Sequence, residues 1–208
     1  MIDPRPGRAE EAGAGEQASG FVSRGGLKLA AALDAFELDV AGMTCTDLGS
    51  SVGGFTDCLL QRGAEKVYAV DTAYGLLAWK LRQDPRVVVV ERTNVLHFDP
   101  LASEGVDLVT LDLGWTPQAR AIPAALKWKP RRIVSLVKPQ YEAPRPPGRG
   151  GVLEAEEAER VALEVLGDME AMGVAVQAHL RSPILGGGSR KGGGNVEYLA
   201  LLVPSGHD

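Results

Sequence analysis

The chain has 208 residues, of which 45% are hydrophobic and 24% are charged, and its formal net charge is −5. These values are ordinary for a globular protein and argue against a disordered chain, a collagen-like repeat and a coiled coil. No apolar run reaches the roughly 18–20 residues of a transmembrane helix, and the N-terminus lacks the apolar stretch of a signal peptide. We therefore expect a cytoplasmic protein with a disordered tail over residues 1–20 and one domain over residues 21–208.

Cysteine and histidine are scarce. The chain contains two cysteines, Cys45 and Cys58, and three histidines. Two cysteines are too few for a disulfide scaffold, and their spacing relative to the histidines matches no zinc site. We expect both cysteines to be buried as small hydrophobic residues, and we expect no metal.

The charges are unevenly distributed along the chain. Residues 120–149 contain eight lysines or arginines and one acidic residue, whereas the next stretch, residues 154–170, is strongly acidic. The acidic stretch is typical of the solvated face of a helix. The basic stretch is either solvated surface or a source of contacts to phosphates.

Strand-like and helix-like segments alternate after the tail. The apolar runs that predict strands are residues 43–48, 66–71, 86–91, 106–113, 131–138, 174–181 and 195–203. The segments with helical spacing are residues 26–38, 55–62, 74–82, 118–127 and 153–172. Seven strands that alternate with helices predict an α/β fold with a mainly parallel sheet and helices on both faces.

A glycine-rich turn follows the first predicted strand. The run DLGSSVGGF, residues 47–55, leads directly into a helix, and Asp71 closes the next strand. Glycines let the backbone pass close to a ligand, and a carboxylate at the second strand end accepts hydrogen bonds from a ribose. The glycine spacing is not that of a dinucleotide site. It favours an adenosine with a short, charged tail that carries no phosphate.

Two carboxylates and two lysines are predicted to meet at one cleft. Asp112 and Lys138 end neighbouring predicted strands, Glu197 lies in the last strand, and Lys28 lies in the first helix. Ligands bind at the carboxyl ends of strands in such folds. An ion pair without a function is the alternative interpretation of Asp112 and Lys138.

Several motifs together resemble a known family. They are FVSRGGLKL (21–29), DLGSSVGGFTD (47–57), VYAVD (67–71), KPQ (138–140) and GNVEYL (194–199). In this order they resemble the FtsJ-like ribose 2'-O-methyltransferases, and within them the hemolysin A (TlyA) type of ribosomal RNA methyltransferase. The resemblance covers about residues 21–203. It implies a Rossmann-like class I methyltransferase fold and RNA, in particular ribosomal RNA, as the substrate.

The resemblance also assigns roles to residues. It implies S-adenosylmethionine as the methyl donor and a catalytic tetrad of Lys28, Asp112, Lys138 and Glu197. Lys138 is then nearest the ribose hydroxyl, as a base or as a hydrogen-bond donor, and the two carboxylates orient the lysines. Asp71 would hold the ribose of the cofactor and Asn94 the adenine edge. The residues implied to hold its methionine part are Gly49, Ser50, Ser51, Gly53, Gly54 and Phe55, and Asp47 is a further cofactor-binding residue.

The chain departs from the family pattern in three places. The N-terminal S4 RNA-binding module of the TlyA type is missing from these 208 residues, which leaves open a partner that supplies an S4-like function. The segment after Asp112 is LGWTPQ, in which Trp115 is either a base-stacking residue or a buried aromatic. A glycine-rich loop before Glu197 carries Arg190 and Lys191, which we expect to contact phosphates together with the basic stretch.

Other functions are weighed against this one. A methyltransferase with a different acceptor remains open, and so does a non-catalytic RNA-binding or assembly factor that retains the fold. The intact tetrad argues against the second, because a binding module does not need it. A membrane-lysing protein is disfavoured because no cationic amphipathic helix is evident, and a nicotinamide oxidoreductase is disfavoured by the glycine spacing.

Overall fold

The computed structural model describes residues 20–100, 105–144, 151–187 and 193–206. The predicted tail, residues 1–20, lies outside these ranges apart from Gly20. Within the described ranges, no helix is long and apolar enough to cross a membrane.

A single sheet of seven strands forms the centre of the described structure. The strands are β1 (Thr44–Leu48), β2 (Lys66–Val70), β3 (Val87–Val90), β4 (Val106–Leu111), β5 (Pro130–Val137), β6 (Val174–Arg181) and β7 (Tyr198–Pro204). Their order across the sheet is β3-β2-β1-β4-β5-β7-β6. Strand β7 is antiparallel to β5 and β6, and the remaining pairs are parallel. The predicted seven-stranded, mainly parallel sheet is confirmed.

Helices cover both faces of this sheet. They are α1 (Gly25–Ala35), α2 (Gly54–Gln61), α3 (Trp79–Arg82), α4 (Gln118–Leu126), α5 (Pro139–Glu142) and α6 (Ala155–Gly167), with a 3-10 turn over Met169–Met172. One apolar cluster joins α1 and α2 to the sheet through residues such as Leu29 and Leu59. A second joins α4 and α6 to the sheet through residues such as Ile122 and Val161. The result is a three-layer α/β architecture.

The chain direction creates a cleft beside β1. Strand β1 pairs with β2 on one side and with β4 on the other, so the connections that leave β1 and β4 run in opposite directions across the sheet. Such a switch point opens a crevice at the carboxyl ends of the two strands. The glycine-rich turn after β1 therefore lies at the mouth of this crevice.

The main difference from the predicted elements lies in residues 74–82, where a full helix was expected. Only Trp79–Arg82 is helical. Gly75 has a φ of 74° and donates its N–H to Glu91, whereas Arg82 donates to the carbonyl of Leu77 and pairs with Glu91. These side-chain contacts hold residues 74–78 in an irregular turn.

Smaller differences occur at element ends. The helix expected over residues 153–172 divides at Asp168 into α6 and the 3-10 turn. The strand expected from residue 195 begins at Tyr198. Both cysteines are buried and free, as expected, and burial raises the pKa of each thiol to about 12.

Candidate active site

Four polar residues from distant parts of the chain meet at one edge of the sheet. Asp112 directly follows β4 and Lys138 directly follows β5. Glu197 directly precedes β7, and because β7 runs antiparallel to β5, its first residues lie at the same edge. Lys28 reaches this edge from the first turn of α1. The structure thus brings together the four residues of the predicted tetrad.

The four side chains form two close ion pairs. Lys138 Nζ lies 2.5 Å from Asp112 Oδ1, and Lys28 Nζ lies 2.5 Å from Glu197 Oε2. Glu197 is 3% exposed, and Lys28 is also buried. Burial of an unpaired charge is costly, so these pairs keep both lysines in place.

The pKa of Lys138 reflects two opposing influences. Burial favours the neutral amine and lowers the pKa, whereas the nearby carboxylate of Asp112, its hydrogen bond and the more distant Glu197 raise it. The carboxylates prevail, and the pKa of Lys138 is raised above its ordinary value. Lys138 is therefore an ammonium at neutral pH.

The glycine-rich turn lies close to the backbone of β4. Gly49 has a φ of 91°, and a Cβ at this position would be 2.6 Å from the carbonyl oxygen of Asp112. Gly53 has a φ of 104° and faces Leu77 and Leu81. Both positions require glycine, because other residues rarely adopt this backbone conformation and neither has room for a side chain. The turn is therefore packed closely against Asp112 on one side and against the two leucines on the other.

Asp47 is buried beside the glycine-rich turn and is hydrogen-bonded to the helix that follows it. Its carboxylate is completely buried and accepts hydrogen bonds from the N–H and hydroxyl of Thr56 and from the hydroxyl of Thr110. Burial raises the pKa of Asp47 to about 7, although the bonds from Thr56 and Thr110 oppose that shift. Because Thr56 lies in the first turn of α2, Asp47 fixes the helix start.

Asp71 and Asn94 lie beyond the turn. Asp71 Oδ2 accepts the N–H of Ser51 at 2.8 Å, and Oδ1 accepts the N–H of Ala73 at 2.7 Å. The amide oxygen of Asn94 accepts the N–H of Leu96, which makes Asn94 a turn residue as well as a cavity residue. Asp71 therefore joins the glycine-rich turn to the end of β2.

Two adjacent cavities open at this edge. The smaller, about 260 Å³, is lined by Lys28, by the glycine-rich turn and by the segment 184–187. The larger, about 530 Å³, is lined by Asp71, Asn94, Trp115 and Lys138. Both include Gly49, Ser51 and Asp112 in their walls. The two cavities thus share the turn and the carboxylate at its side.

Seven of the nine predicted cofactor residues line these cavities, and two do not. Those in the walls are Gly49, Ser50, Ser51, Gly54, Phe55, Asp71 and Asn94. Asp47 is buried beneath the turn, and Gly53 packs against leucines of the next segment. These two residues shape the site from outside the cavity walls.

Trp115 lies on the rim of the larger cavity. It is 65% exposed, which excludes the buried aromatic that was one interpretation of the sequence. Its ring contacts that of Tyr141, with 4.8 Å between ring centroids. Its φ of 56° is unusual for a bulky residue.

Three site residues are not among those predicted from the sequence. Gln140 is buried and donates to Glu197 Oε1 at 3.4 Å, and the backbone of Gly186 lies directly against the Glu197 carboxylate. Arg24 lines the smaller cavity. Gln140 and Arg24 do lie within the quoted motifs, but Gly186 is one glycine among many in its loop.

The described part of the basic stretch does not form one surface beside the cleft. Lys127, Lys129 and Arg131 are exposed around the start of β5, at the opposite edge of the sheet. Arg131 Nε lies 3.6 Å from Asp107. The predicted phosphate contacts of Arg190 and Lys191 lie outside the described residues.

Comparison with known proteins supports the resemblance seen in the motifs. The model of the FtsJ-like methyltransferase family matches residues 21–190. The 16S/23S rRNA (cytidine-2'-O)-methyltransferase TlyA of Mycobacterium tuberculosis H37Rv is 46% identical over 190 residues, which cover 88% of this chain and 68% of that protein. Hemolysin A of Brachyspira hyodysenteriae is 34% identical over 194 residues, which cover 88% of this chain and 77% of that protein.

A solved structure agrees with the fold. A candidate hemolysin from Lactococcus lactis is 37% identical and superposes with a TM-score of 0.81, covering 89% of each chain. The predicted resemblance and the predicted Rossmann-like fold are thereby confirmed. The roles assigned to individual residues stay predictions.

Proposed function

The chain belongs to the FtsJ-like methyltransferase family, and we propose that it transfers a methyl group from S-adenosylmethionine to a ribose 2'-hydroxyl of ribosomal RNA. The observation that carries this proposal is the Lys138–Asp112 ion pair, which lies where the two cavities meet. The rRNA (cytidine-2'-O)-methyltransferase activity named for the M. tuberculosis relative supports the acceptor.

The cavity walls suit the cofactor. Asp71 would accept hydrogen bonds from the ribose diol, since each of its oxygens has a lone pair beyond its present bond. Asn94, in the wall of the same cavity as Asp71, would contact the adenine edge. The methionine part would lie along the glycine-rich turn, since Gly49 and Ser51 are in the walls of both cavities. When bound, S-adenosylmethionine supplies a methyl group activated by its sulfonium charge.

Lys138 would act on the acceptor oxygen. A ribose hydroxyl is a weak nucleophile, and it must lose its proton as its oxygen attacks the methyl group. The carboxylate of Asp112, in the wall of both cavities, would take that proton, and negative charge builds on the oxygen as the proton leaves. An ammonium placed beside that oxygen stabilises this charge and so makes the loss of the proton easier. We assign Lys138 the role of hydrogen-bond donor rather than base, because the carboxylates keep it protonated.

Asp112 and the Lys28–Glu197 pair would fix the geometry. Asp112 holds Lys138 in position, and Glu197 holds Lys28 at the wall of the smaller cavity. Alignment of the hydroxyl with the methyl group is worth as much as roughly 7–11 kcal/mol in favourable cases. A rigid set of paired charges is suited to that alignment.

Trp115 would receive the target base. Its exposed indole lies on the same cavity rim as Lys138, against Tyr141. Enzymes that modify nucleotides take the base out of its stack, and aromatic rings replace the lost stacking. A base on Trp115 would leave its ribose close to Lys138.

The test is methyl transfer from labelled S-adenosylmethionine to ribosomal subunits and to naked ribosomal RNA. We expect label in RNA with the wild type, none with Lys138→Ala, and wild-type incorporation with Lys127→Ala, a matched exposed lysine at the opposite edge. A 2'-O-methyl group blocks alkaline cleavage of the next phosphodiester bond, so the labelled site should resist alkali. Cofactor binding without transfer to either RNA would favour a different acceptor or a non-catalytic role.

A further inference from the structure

The carboxylate of Glu197 is held on several sides. Its Oε2 accepts from Lys28 at 2.5 Å, and its Oε1 accepts from the side-chain amide of Gln140 at 3.4 Å. Gln140 is itself buried, two residues after Lys138. These two bonds determine the direction in which the carboxylate points.

Gly186 supplies the space that the carboxylate occupies. A Cβ built on Gly186 would overlap the carboxylate carbon and both oxygens of Glu197. The φ of Gly186 is outside the left-handed region, so the backbone conformation does not require glycine. The proximity of Glu197 is therefore what demands glycine at this position.

Asn195 holds Gly186 in place. The two backbones exchange hydrogen bonds of 2.9 and 2.8 Å in an isolated antiparallel bridge. The Asn195 side chain also accepts the N–H of Leu153 at 2.8 Å and donates to the carbonyl of Gly151 at 3.2 Å. Three chain segments are thus joined two residues before Glu197.

We propose that Gly186, held by Asn195, is a positioning residue that seats Glu197 against Lys28. This inference rests on the proposed function, because it assumes that the Lys28–Glu197 pair supports methyl transfer. A side chain at position 186 would displace the carboxylate and leave Lys28 without its close partner. The neighbours Ile184, Leu185 and Gly187 line the smaller cavity, so the same segment shapes its wall.

The first test measures catalysis. Gly186→Ala should lower kcat roughly 10- to 100-fold, because a displacement of about 1 Å in an aligned site has an effect of that size. The dissociation constant for S-adenosylmethionine should change less than threefold, since the glycine-rich turn is untouched. Gly193→Ala is the matched control: its Cβ would lie 3.7 Å from Val152, an ordinary contact, and it should keep wild-type kcat.

The second test measures the contact between position 186 and Glu197 through protein stability and does not depend on catalysis. Gly186→Ala should lower the urea midpoint of the wild type but not that of Glu197→Ala, which has no carboxylate to displace. In a Glu197→Gln background the penalty should persist, because glutamine has nearly the same size as glutamate. This double-mutant cycle isolates the pair, and a merely structural loop would give equal shifts in all three backgrounds.

The outcomes separate the inference from the proposed function. If the wild type shows no methyl transfer, the proposed function is overturned. The urea double-mutant cycle would still test whether position 186 contacts Glu197. Wild-type kcat in Gly186→Ala, or an equal urea penalty in Glu197→Ala, would overturn the inference. If Gly186→Ala alone does not fold, the double variant Gly186→Ala/Glu197→Ala should fold, because the carboxylate that the new methyl group would strike is gone. Failure of that double variant to fold would overturn the inference.

Discussion

The ammonium of Lys138 lies 2.5 Å from Asp112 Oδ1 and donates a 3.1 Å hydrogen bond to the carbonyl of Leu113. Both partners follow β4, whereas Lys138 follows β5, so the contacts tie together the ends of two neighbouring strands. An ammonium has three N–H donors. Two are directed at these partners, and under the proposed function the third would donate to the acceptor oxygen.

The pH profile distinguishes a donor from a base at Lys138. Because its pKa is raised, the ammonium persists through the neutral and mildly alkaline range. We expect kcat to show no rise attributable to Lys138 between pH 7 and 9. A neutral-amine base would instead make kcat rise about tenfold per pH unit, since the amine fraction grows by that factor below its pKa.

Two substitutions check the same point. Lys138→Met removes the cation and should lower kcat by roughly 10²–10³-fold, the usual cost of losing one charge-stabilising donor. Lys138→Arg keeps a permanent cation and should lose less. An arginine variant as inactive as the methionine variant, together with a rising pH profile, would contradict the donor role.

Trp115→Ala should weaken RNA binding without affecting folding. Stacking of a base on an aromatic ring is worth about 1–3 kcal/mol, so KM for RNA should rise roughly 5- to 150-fold. Because the indole is mostly exposed, the free energy of unfolding should change by less than about 0.5 kcal/mol. Trp115→Phe serves as the control and should retain most of the affinity. An unchanged KM in Trp115→Ala would exclude the stacking role.

Gly49→Ala should damage the cofactor site. An alanine there needs a φ of 91° and collides with the backbone of Asp112, so the free energy of unfolding should fall by about 1–3 kcal/mol. Affinity for S-adenosylmethionine, measured by calorimetry, should fall as well. Gly167→Ala, in α6 with no atom within 4 Å of the new Cβ, should leave affinity unchanged. Full affinity in Gly49→Ala would show that the turn does not hold the cofactor.

Residues at strand ends are the part of the site that the sequence predicts well. A buried strand is mostly apolar, and a charged residue directly after its last apolar residue marks its end, as with Asp112 after Leu111 and Lys138 after Val137. Neighbouring parallel strands end at the same edge of a sheet, so those two residues are expected to meet. The distance between Lys138 Nζ and Asp112 Oδ1 confirms it.

Contacts that depend on chain direction or on a missing side chain are harder to predict. Glu197 reaches the cleft because β7 runs antiparallel, and an apolar run does not encode its direction. The carboxylate of Glu197 occupies the space that a side chain at position 186 would need. Its loop contains several other glycines with the same local preferences, so periodicity and motif spacing cannot single it out.

The exposure of an aromatic residue depends on its position in the folded structure, which its local sequence does not show. Trp128 and Trp115 both lie between apolar segments, yet Trp128 is buried against Tyr68 and Phe98 whereas Trp115 lies on a cavity rim. The difference follows from position relative to the sheet. Trp128 lies in the turn after α4 and packs on the sheet face, and Trp115 lies in the turn that leaves β4.

Asp47 should make the stability of the protein depend on pH. Its pKa is raised to about 7 by burial in the folded protein, whereas an unfolded aspartate titrates near 3.9. The folded state therefore binds the proton more tightly, and the free energy of unfolding should fall as pH rises from about 4 to about 7. The pKa of Asp47 in the folded protein and that of an unfolded aspartate differ by about three units, so the free energy of unfolding should fall by an amount on the order of 2–4 kcal/mol over this pH range.

Asp47→Asn removes this titration and keeps the hydrogen bonds. The amide oxygen can accept from Thr56, and the amide nitrogen can donate to the hydroxyl of Thr110, which can direct its own hydrogen to the carbonyl of Thr46. Urea unfolding from pH 5 to 8 should show Asp47→Asn gaining stability relative to the wild type until about pH 7, then holding level. Asp39→Asn, at an exposed site, is the control and should follow the wild type throughout. A constant difference between Asp47→Asn and the wild type across this range would show that Asp47 is already ionised at pH 5.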